Sequence, residues 1–212
     1  MRAAAELLLV LVVLADFMIL GTSRLTTCIR AIAFQGLMLG LLPIALTQHW
    51  SLRIAGLALG SIVVKSLILP WLLKRAIREA AVRREVEPRI GFSLSLVLGV
   101  VAVAIGFGVA QRLPLPEGAG ELLVAVALAT VIMGFLTITT RAKAVTQVVG
   151  YLMLENGIYL FGLTSADRVP FLVEIGVLLD VFVGVFIMGI VVFHINREFD
   201  SISSARLTEL HD

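Results

Sequence analysis

Seven stretches of this chain are each apolar for about 20 residues, the length that a helix needs to cross the hydrocarbon core of a bilayer. The mean hydropathy of the whole chain is +1.05, and only 15% of its residues are charged. Such a composition is typical of membrane-spanning chains. We therefore predict an all-α, polytopic membrane protein with about seven transmembrane helices. The predicted spans are Ala3–Leu20, Cys28–Leu46, Leu52–Leu73, Gly91–Ala110, Leu122–Thr140, Ala144–Leu163 and Phe171–Phe193.

The basic residues predict the orientation of these spans. Of the 17 Lys and Arg residues, twelve fall on the side of the membrane that holds the loop 74–90, Arg141 among them, and four on the other side. Cytoplasmic loops carry the excess of Lys and Arg, so this side is predicted to be inside. An odd number of spans then places the N-terminus outside and the C-terminus inside. Met1 and Arg2 precede the first stretch as in a signal peptide, but no A-x-A-like cleavage site follows, so we interpret it as an uncleaved helix.

Little in the sequence could perform catalysis or hold a cofactor. Cys28 is the only cysteine, which excludes an internal disulfide, cysteine-ligated zinc and iron–sulfur clusters. His49, His194 and His211 lie far apart, which argues against a bis-histidine haem. The basic residues lie in short loops, so nucleic acid is not an expected partner. We expect no catalysis by this chain alone, and no metal or cofactor within it.

A Pro/Gly-rich turn at 113–118 divides the predicted spans into two groups. Residues 1–112 form a predicted N-terminal half of four helices, which contains Lys65 and Pro70. Residues 113–212 form a predicted C-terminal half of three helices, followed by a cytoplasmic tail.

Two pairs of glycines, each four residues apart, predict close helix packing. Gly36 and Gly40 lie in the second span, and Gly56 and Gly60 in the third. Small residues at this spacing let helix backbones approach closely. The alternative is coincidence, because the chain has 18 glycines.

Ionisable residues within the predicted spans are costly, at roughly 2.5–3.5 kcal/mol each for insertion at mid-bilayer. The ordinary interpretation of Asp16 is a group that pairs with another helix or reaches the interface. Glu174 lies about three residues into its span and is as readily an interfacial group as a functional one. The five candidates are Asp16, Lys65, Glu155, Glu174 and Asp180.

Glu155 and Asp180 are the strongest candidates for function. At a helical rise of about 1.5 Å per residue, both lie roughly 16–20 Å from the inner surface, near mid-membrane. Their spans are consecutive and antiparallel, so we expect them to be neighbours. Two carboxylates there cannot both be ionised cheaply, so at least one should hold a proton near neutral pH. We predict a proton relay here, with a purely structural pair as the alternative.

Polar residues recur every four positions along the sixth span. Gln147, Tyr151, Glu155 and Tyr159 form a loose row on one side of the predicted helix, and their amide and hydroxyl groups can both donate and accept hydrogen bonds. Such a row could hold a chain of water leading to Glu155. Alternatively, the tyrosines are ordinary packing residues.

Lys65 lies about 13 Å deep in the third span, near the limit of snorkelling. Pro70 follows five residues later and removes the backbone donor to the carbonyl of Ser66, which predicts a kink. A buried lysine beside an interrupted helix suits an ion or proton site. The alternative is that Lys65 only pairs with a carboxylate, such as Asp16 or one from a partner subunit.

The C-terminal half resembles a known family at two motifs. The run G-Y-L-M-L-E-N-G from Gly150 to Gly157 resembles the second-helix motif of the K subunit of bacterial complex I, with its buried glutamate. The stretch from Val173 to Asp180 resembles the third helix of that subunit. Over its whole length, including Lys65 and Pro70, the chain is similar to the family of hydrogenase-4 component E.

This resemblance implies a membrane subunit of a group 4 [NiFe]-hydrogenase or formate hydrogenlyase-type complex in the prokaryotic cytoplasmic membrane. Its partners would be antiporter-like membrane subunits and a hydrophilic hydrogenase arm, which would carry the nickel–iron centre and the iron–sulfur clusters. Glu155 would match the glutamate of the second K-type helix. Asp180 stands where complex I has a glutamate, so the side chain is one methylene shorter.

Two other functions are compatible with the sequence. The chain could be a subunit of a multi-subunit cation/proton antiporter, which also uses K-like modules, although of a shorter type. It could instead be a scaffold that anchors a membrane arm without conducting protons, its buried charges being paired only for assembly.

Overall fold

Every regular element of the described residues is a helix. A computed structural model of the chain describes residues 2–46, 52–79, 89–114 and 120–164, with 179, 182–187 and 189 of a further helical segment. The helices are α1 (Arg2–Gly21), α2 (Leu25–Leu46), α3 (Leu52–Ser61), a π-helical segment (Ile62–Ile68), α4 (Leu69–Glu79), α5 (Phe92–Ala110), α6 (Glu121–Thr140) and α7 (Ala144–Leu163).

Four helices in the described parts of the chain are long and apolar enough to cross a membrane, which makes the chain a helical membrane protein. They are α1, α2, α5 and α6. The helix α7 has a similar length but contains Gln147, Glu155 and Asn156. The first, second, fourth, fifth and sixth predicted spans coincide with α1, α2, α5, α6 and α7 to within a few residues. The seventh predicted span lies largely outside the described residues.

The third predicted span is helical throughout but changes its hydrogen-bond register. Between α3 and α4 the chain is π-helical over Ile62–Ile68, and the amide of Leu69 donates to the carbonyl of Val64, five residues back. The next bond in this register would join residue 70 to the carbonyl of Lys65, which Pro70 cannot make. The expectation that Pro70 removes the donor to the carbonyl of Ser66 stays a prediction.

Glycines bring α6 and α7 into backbone contact. A Cβ added at Gly157 would lie 2.7 Å from the backbone nitrogen of Val131, and one at Gly150 would lie 2.8 Å from that of Ile138. From the other side, a Cβ at Gly134 would lie 2.7 Å from the Cα of Leu154. These three glycines are the reason that the two helices can pack so closely.

The two predicted glycine pairs differ in the structure. A Cβ at Gly36 would lie 2.7 Å from the Cβ of Lys65, and one at Gly40 would collide with Ile62. The pair on α2 therefore packs closely against the π-helical segment, as predicted. A Cβ at Gly56 or Gly60 would meet nothing within 4 Å among the described residues, so no close packing of that pair is found there.

The ends of α1 and α6 and the start of α5 are joined around Arg141. Its Nη2 donates to the carbonyl of Leu20 at 2.7 Å, and its guanidinium carbon lies 5.1 Å from the centroid of the Phe92 ring. The backbone amide of Arg89 donates to the carbonyl of Thr140 at 2.7 Å. Arg141 lies between α6 and α7, as its place between two predicted spans indicated, but its exposed fraction is only 1%, which the sequence did not show. Burial lowers the pKa of this guanidinium, but arginine stays protonated at any physiological pH.

Candidate functional site: buried charges between the helices

A buried ion pair joins the π-helical segment to α7. The Nζ of Lys65 lies 3.3 Å from the Oε1 of Glu155, and the exposed fractions of the two side chains are 3% and 1%. The same Nζ lies 5.6 Å from the centroid of the Tyr159 ring, one helical turn beyond Glu155 on α7. The lysine therefore faces both a carboxylate and the electron-rich face of an aromatic ring, two groups that attract an ammonium.

The backbone around Lys65 explains how the lysine reaches this position. Gly36 of α2 lies directly against the Cβ and the carbonyl of Lys65, so the π-helical segment sits closer to α2 than any larger residue would allow. Single π-helical turns inside α-helices occur frequently at functional sites. From this segment the lysine side chain reaches Glu155 on α7.

Asp16 lies in a second polar group, which is also fully buried. Its Oδ1 accepts a hydrogen bond from the Nε2 of Gln35 at 2.7 Å, and its Oδ2 accepts one from the Oγ1 of Thr130 at 2.7 Å. The exposed fraction of Asp16 is 0%. Among the described residues Asp16 forms no ion pair, so the proposed pairing of Lys65 with Asp16 is not found.

The second group extends to α7 through the amides of Gln35 and Asn156. The Oε1 of Gln35 accepts a hydrogen bond from the Nδ2 of Asn156 at 3.0 Å, and Asn156 follows Glu155 directly on α7. The amide of Asn156 thus donates to Gln35, and the amide of Gln35 donates to the carboxylate of Asp16. Four helices, α1, α2, α6 and α7, thus contribute side chains to the hydrogen-bonded group of Asp16, and this group reaches α7 at the residue that follows Glu155.

The polar row predicted on α7 divides into an inner and an outer part. Glu155 and Tyr159 are buried next to Lys65, whereas Gln147 and Tyr151 line a cavity of about 430 Å³. The Nε2 of Gln147 also donates to the carbonyl of Arg141 at 3.1 Å, so part of its role is to cap the end of α6. The other residues that line the cavity are apolar: Ile138, Ala144, Val148, Phe182, Val183 and Phe186.

Some predicted site residues come together and others cannot be placed. Lys65 and Glu155 form the pair described above, and the ring of Tyr159 lies next to Lys65. Asp16 lies in the group that it forms with Gln35 and Thr130, and Pro70 lies in α4. Glu174 and Asp180 lie outside the described residues, so the expected neighbourhood of Glu155 and Asp180 stays a prediction.

Sequence reasoning missed Gln35, Thr130 and Asn156. Gln35 could have been identified, because an amide side chain is rare inside an apolar span. Asn156 could also have been identified, because it follows Glu155 in the motif from Gly150 to Gly157. Thr130 gave no signal, because a threonine in a membrane helix most often bonds to its own backbone.

The cluster is suited to holding charge and protons. Within the described parts of the chain, no three His, Cys, Asp or Glu side chains are grouped so that they could hold a metal ion. Together the residues supply two carboxyls, one ammonium and several amide and hydroxyl groups, all of them buried. Ionisable groups in this setting mark proton or ion pathways. The fold and this cluster together define a helical membrane protein with an ionisable interior.

Comparison with known proteins gives a family. The chain is 32% identical over 203 residues to "Uncharacterized protein Rv0085" of Mycobacterium tuberculosis, which covers 94% of this chain and 92% of that protein. The chain therefore belongs to the same family as this mycobacterial protein. It is also 29% identical over 149 residues to hydrogenase-4 component E of Escherichia coli and of Shigella flexneri, covering 70% of this chain and 69% of each relative. No family model matches the chain, and no solved structure matches it.

Proposed function

We propose that this chain is a membrane subunit of a hydrogenase complex and contributes a path for protons. Its similarity to hydrogenase-4 component E supports the choice of complex. The ion pair of Lys65 and Glu155, joined 90 positions apart in the sequence and shielded from water, is the observation that carries the proposal for protons. The chain performs no redox chemistry itself; in this proposal a nickel–iron centre and iron–sulfur clusters belong to a hydrophilic partner arm.

The proposed arrangement in the membrane follows from the charge pattern. About seven helices cross the cytoplasmic membrane, with the N-terminus outside and the C-terminus inside, because most basic residues then lie in the cytoplasm. The halves 1–112 and 113–212 supply opposite members of the ion pair. Antiporter-like membrane subunits are the proposed neighbours, as the resemblance to the K subunit of complex I implies.

The pair can work as a switch for a single proton. While Lys65 faces Glu155, the carboxylate is ionised and its charge is balanced. When the lysine turns away, the isolated carboxylate is unfavourable in the low-dielectric interior and takes up a proton. Electron transfer in the partner arm would drive this alternation. Asp180 is the proposed next carboxyl on the path, and Tyr151, Tyr159 and Gln147 are proposed to support water or hydrogen bonds along it.

The test is a proton-translocation assay on the complex in its native membrane vesicles. A Glu155→Gln variant keeps the size of the side chain but cannot ionise. We expect it to lose redox-driven proton translocation, measured by the quenching of a pH-sensitive dye, while viologen-linked hydrogen turnover continues. Glu6→Gln is the matched control, because Glu6 lies exposed near the start of α1 and should translocate protons as the wild type does.

Three results would contradict the proposal. Wild-type translocation in the Glu155→Gln variant would remove the residue from any proton path. Purification of the chain with cation-antiporter subunits only, and transport that depends on sodium without a redox partner, would place it in an antiporter. If the Glu155→Gln chain no longer assembles, the pair is a scaffold device and not a relay.

A further inference from the structure

We propose that the outer face of α4 is a binding site for an anionic phospholipid. This face consists of Trp71, Lys74, Arg75 and Arg78, whose spacing along the chain is that of residues on one side of an α-helix. The inference is independent of the proposed function, because it needs only a bilayer around the chain.

The opposite face of α4 determines how this helix is oriented. Four apolar side chains on that face are buried in the hydrophobic core: Leu69, Leu73, Ala76 and Ile77. In contrast, Trp71 is 55% exposed, and Lys74 and Arg78 are exposed as well. The helix cannot rotate to cover its outer face without removing the four apolar side chains from the core, which is unfavourable.

The outward side chains change from apolar to aromatic to basic along the chain. Leu67 and Ile68, at the end of the π-helical segment, are 61% and 43% exposed. Trp71 follows about one turn later, and Lys74 and Arg78 come after it. A lipid leaflet changes in the same order, from hydrocarbon through the interface, where tryptophan is enriched, to charged headgroups that attract Lys and Arg. This order favours lipid as the occupant of the face.

Acidic residues of the same region do not cancel its charge. From Leu69 to Arg89 the sequence contains six basic and three acidic residues, which leaves an excess of three positive charges whichever of them pair with one another. The guanidinium carbon of Arg75 lies 5.6 Å from the centroid of the Trp71 ring, so this arginine already has a partner on the face. We therefore assign the lipid phosphate to Lys74 and Arg78.

Lys74 and Arg78 are spaced to contact a single phosphate group. They are four residues apart, which is about 6 Å along the helix axis, and lie on the same side of the helix. Their ammonium and guanidinium groups both donate charge-assisted hydrogen bonds to phosphate oxygens. The ring of Trp71, in contact with Arg75, then lies one turn nearer the hydrocarbon, where the acyl chains begin.

Quenching of tryptophan fluorescence by brominated lipids tests this proposal. The chain has two tryptophans, so Trp50→Phe leaves Trp71 as the only reporter. The full chain is reconstituted into phosphatidylcholine bilayers that contain the same fraction of either brominated phosphatidylglycerol or brominated phosphatidylcholine. We expect the anionic lipid to quench Trp71 more strongly, with a preference of up to about 25-fold at low salt, because each Lys or Arg near a membrane surface contributes roughly five-fold. Added salt should weaken this preference.

Charge variants in the same background locate the headgroup. Lys74→Gln and Arg78→Gln should each reduce the preference by about five-fold, and with both substitutions the two lipids should quench equally. Arg30→Gln is the matched control, because it removes an exposed basic side chain from α2 and should leave the preference unchanged. Circular dichroism establishes that each variant is folded.

Equal quenching by the two lipids in the Trp50→Phe chain would overturn the proposal, and so would an unchanged preference when Lys74 and Arg78 are both replaced. A neighbouring protein subunit is the alternative occupant of this face. A photoreactive amino acid in place of Leu67, activated in native membranes, distinguishes the two. We expect an adduct with lipid, whereas an adduct with another polypeptide would make the face a protein interface and contradict the proposal.

Discussion

The helices α5 and α7 have nearly the same length and opposite designs. Only five of the 19 residues of α5 are buried, all of them small: Ser95, Gly99, Ala102, Gly106 and Ala110. Its large apolar side chains point outwards, with Val97 58% and Val100 60% exposed. In α7, 13 of 20 residues are buried, and they include Glu155, Asn156 and Tyr159.

The comparison teaches that hydrophobicity in this chain marks the outside. Apolar side chains on the exterior are compatible with lipid, whereas polar side chains need hydrogen-bond partners on other helices. The least apolar of the long helices, α7, accordingly contributes Glu155 and Asn156 to the site. The same kind of substitution should therefore change insertion or stability by different amounts on α5 and in the buried interior.

The largest expected effect is that of a charge on the outer face of α5. Val100→Arg places a cation near the centre of this helix with no carboxylate facing it, and should cost roughly 2.5–3.5 kcal/mol in apparent insertion free energy. Glu155 avoids that cost because Lys65 faces it. The measurement is the inserted fraction of α5 in a membrane-insertion reporter, with Val100→Leu as the control. Equal insertion of the two variants would mean that this face of α5 is not exposed to lipid.

A smaller effect is expected from adding one methyl group to each helix. Gly157→Ala on α7 forces a Cβ to within 2.7 Å of the backbone of Val131 and should destabilise the chain by about 1–3 kcal/mol. Gly108→Ala on α5 meets nothing within 4 Å and should be neutral or stabilising by up to about 1 kcal/mol. Unfolding in mixed micelles with increasing SDS measures both. Equal midpoints would show that the contact between α6 and α7 can relax.

The smallest effect compares two buried polar groups. Gln35→Leu removes the amide that bridges Asp16 and Asn156, and should cost about 1–2 kcal/mol because two buried partners lose a hydrogen bond. Ser95→Ala on α5 removes only a 3.3 Å bond to the carbonyl of Gly91 within the same turn, and should cost less. The same SDS titration compares them. A cost for Ser95→Ala as large as that for Gln35→Leu would contradict a connected cluster.

Much of the fold could be predicted from the sequence, because membrane helices are defined by local composition. The bounds of α1, α2, α5, α6 and α7 follow from apolar runs and the residues that end them. The kink that Pro70 predicts stays a prediction. The π-helical register was not predicted, because nothing in the local sequence of Ile62–Ile68 marks it.

The site was predictable in its members more than in its pairing. Lys65, Glu155 and Asp16 stand out because charge in an apolar run is costly wherever it occurs. Their partners depend on how helices pack, and nothing local says that Lys65 faces Glu155 and not Asp16. Arg141 illustrates the same limit, since a basic residue between two spans looks like a loop residue whether or not other helices cover it.

The glycine contact between α6 and α7 has a consequence for which parts of the molecule can move. At Gly134, Gly150 and Gly157 the backbones of α6 and α7 are in direct contact, so no side chain can change its rotamer there to accommodate a displacement. We therefore expect the two helices to move as one rigid unit. Thr130 of α6 and Glu155 of α7 then keep fixed positions relative to each other. We therefore expect Lys65 to be the member of the ion pair that moves, because its long side chain extends from the π-helical segment.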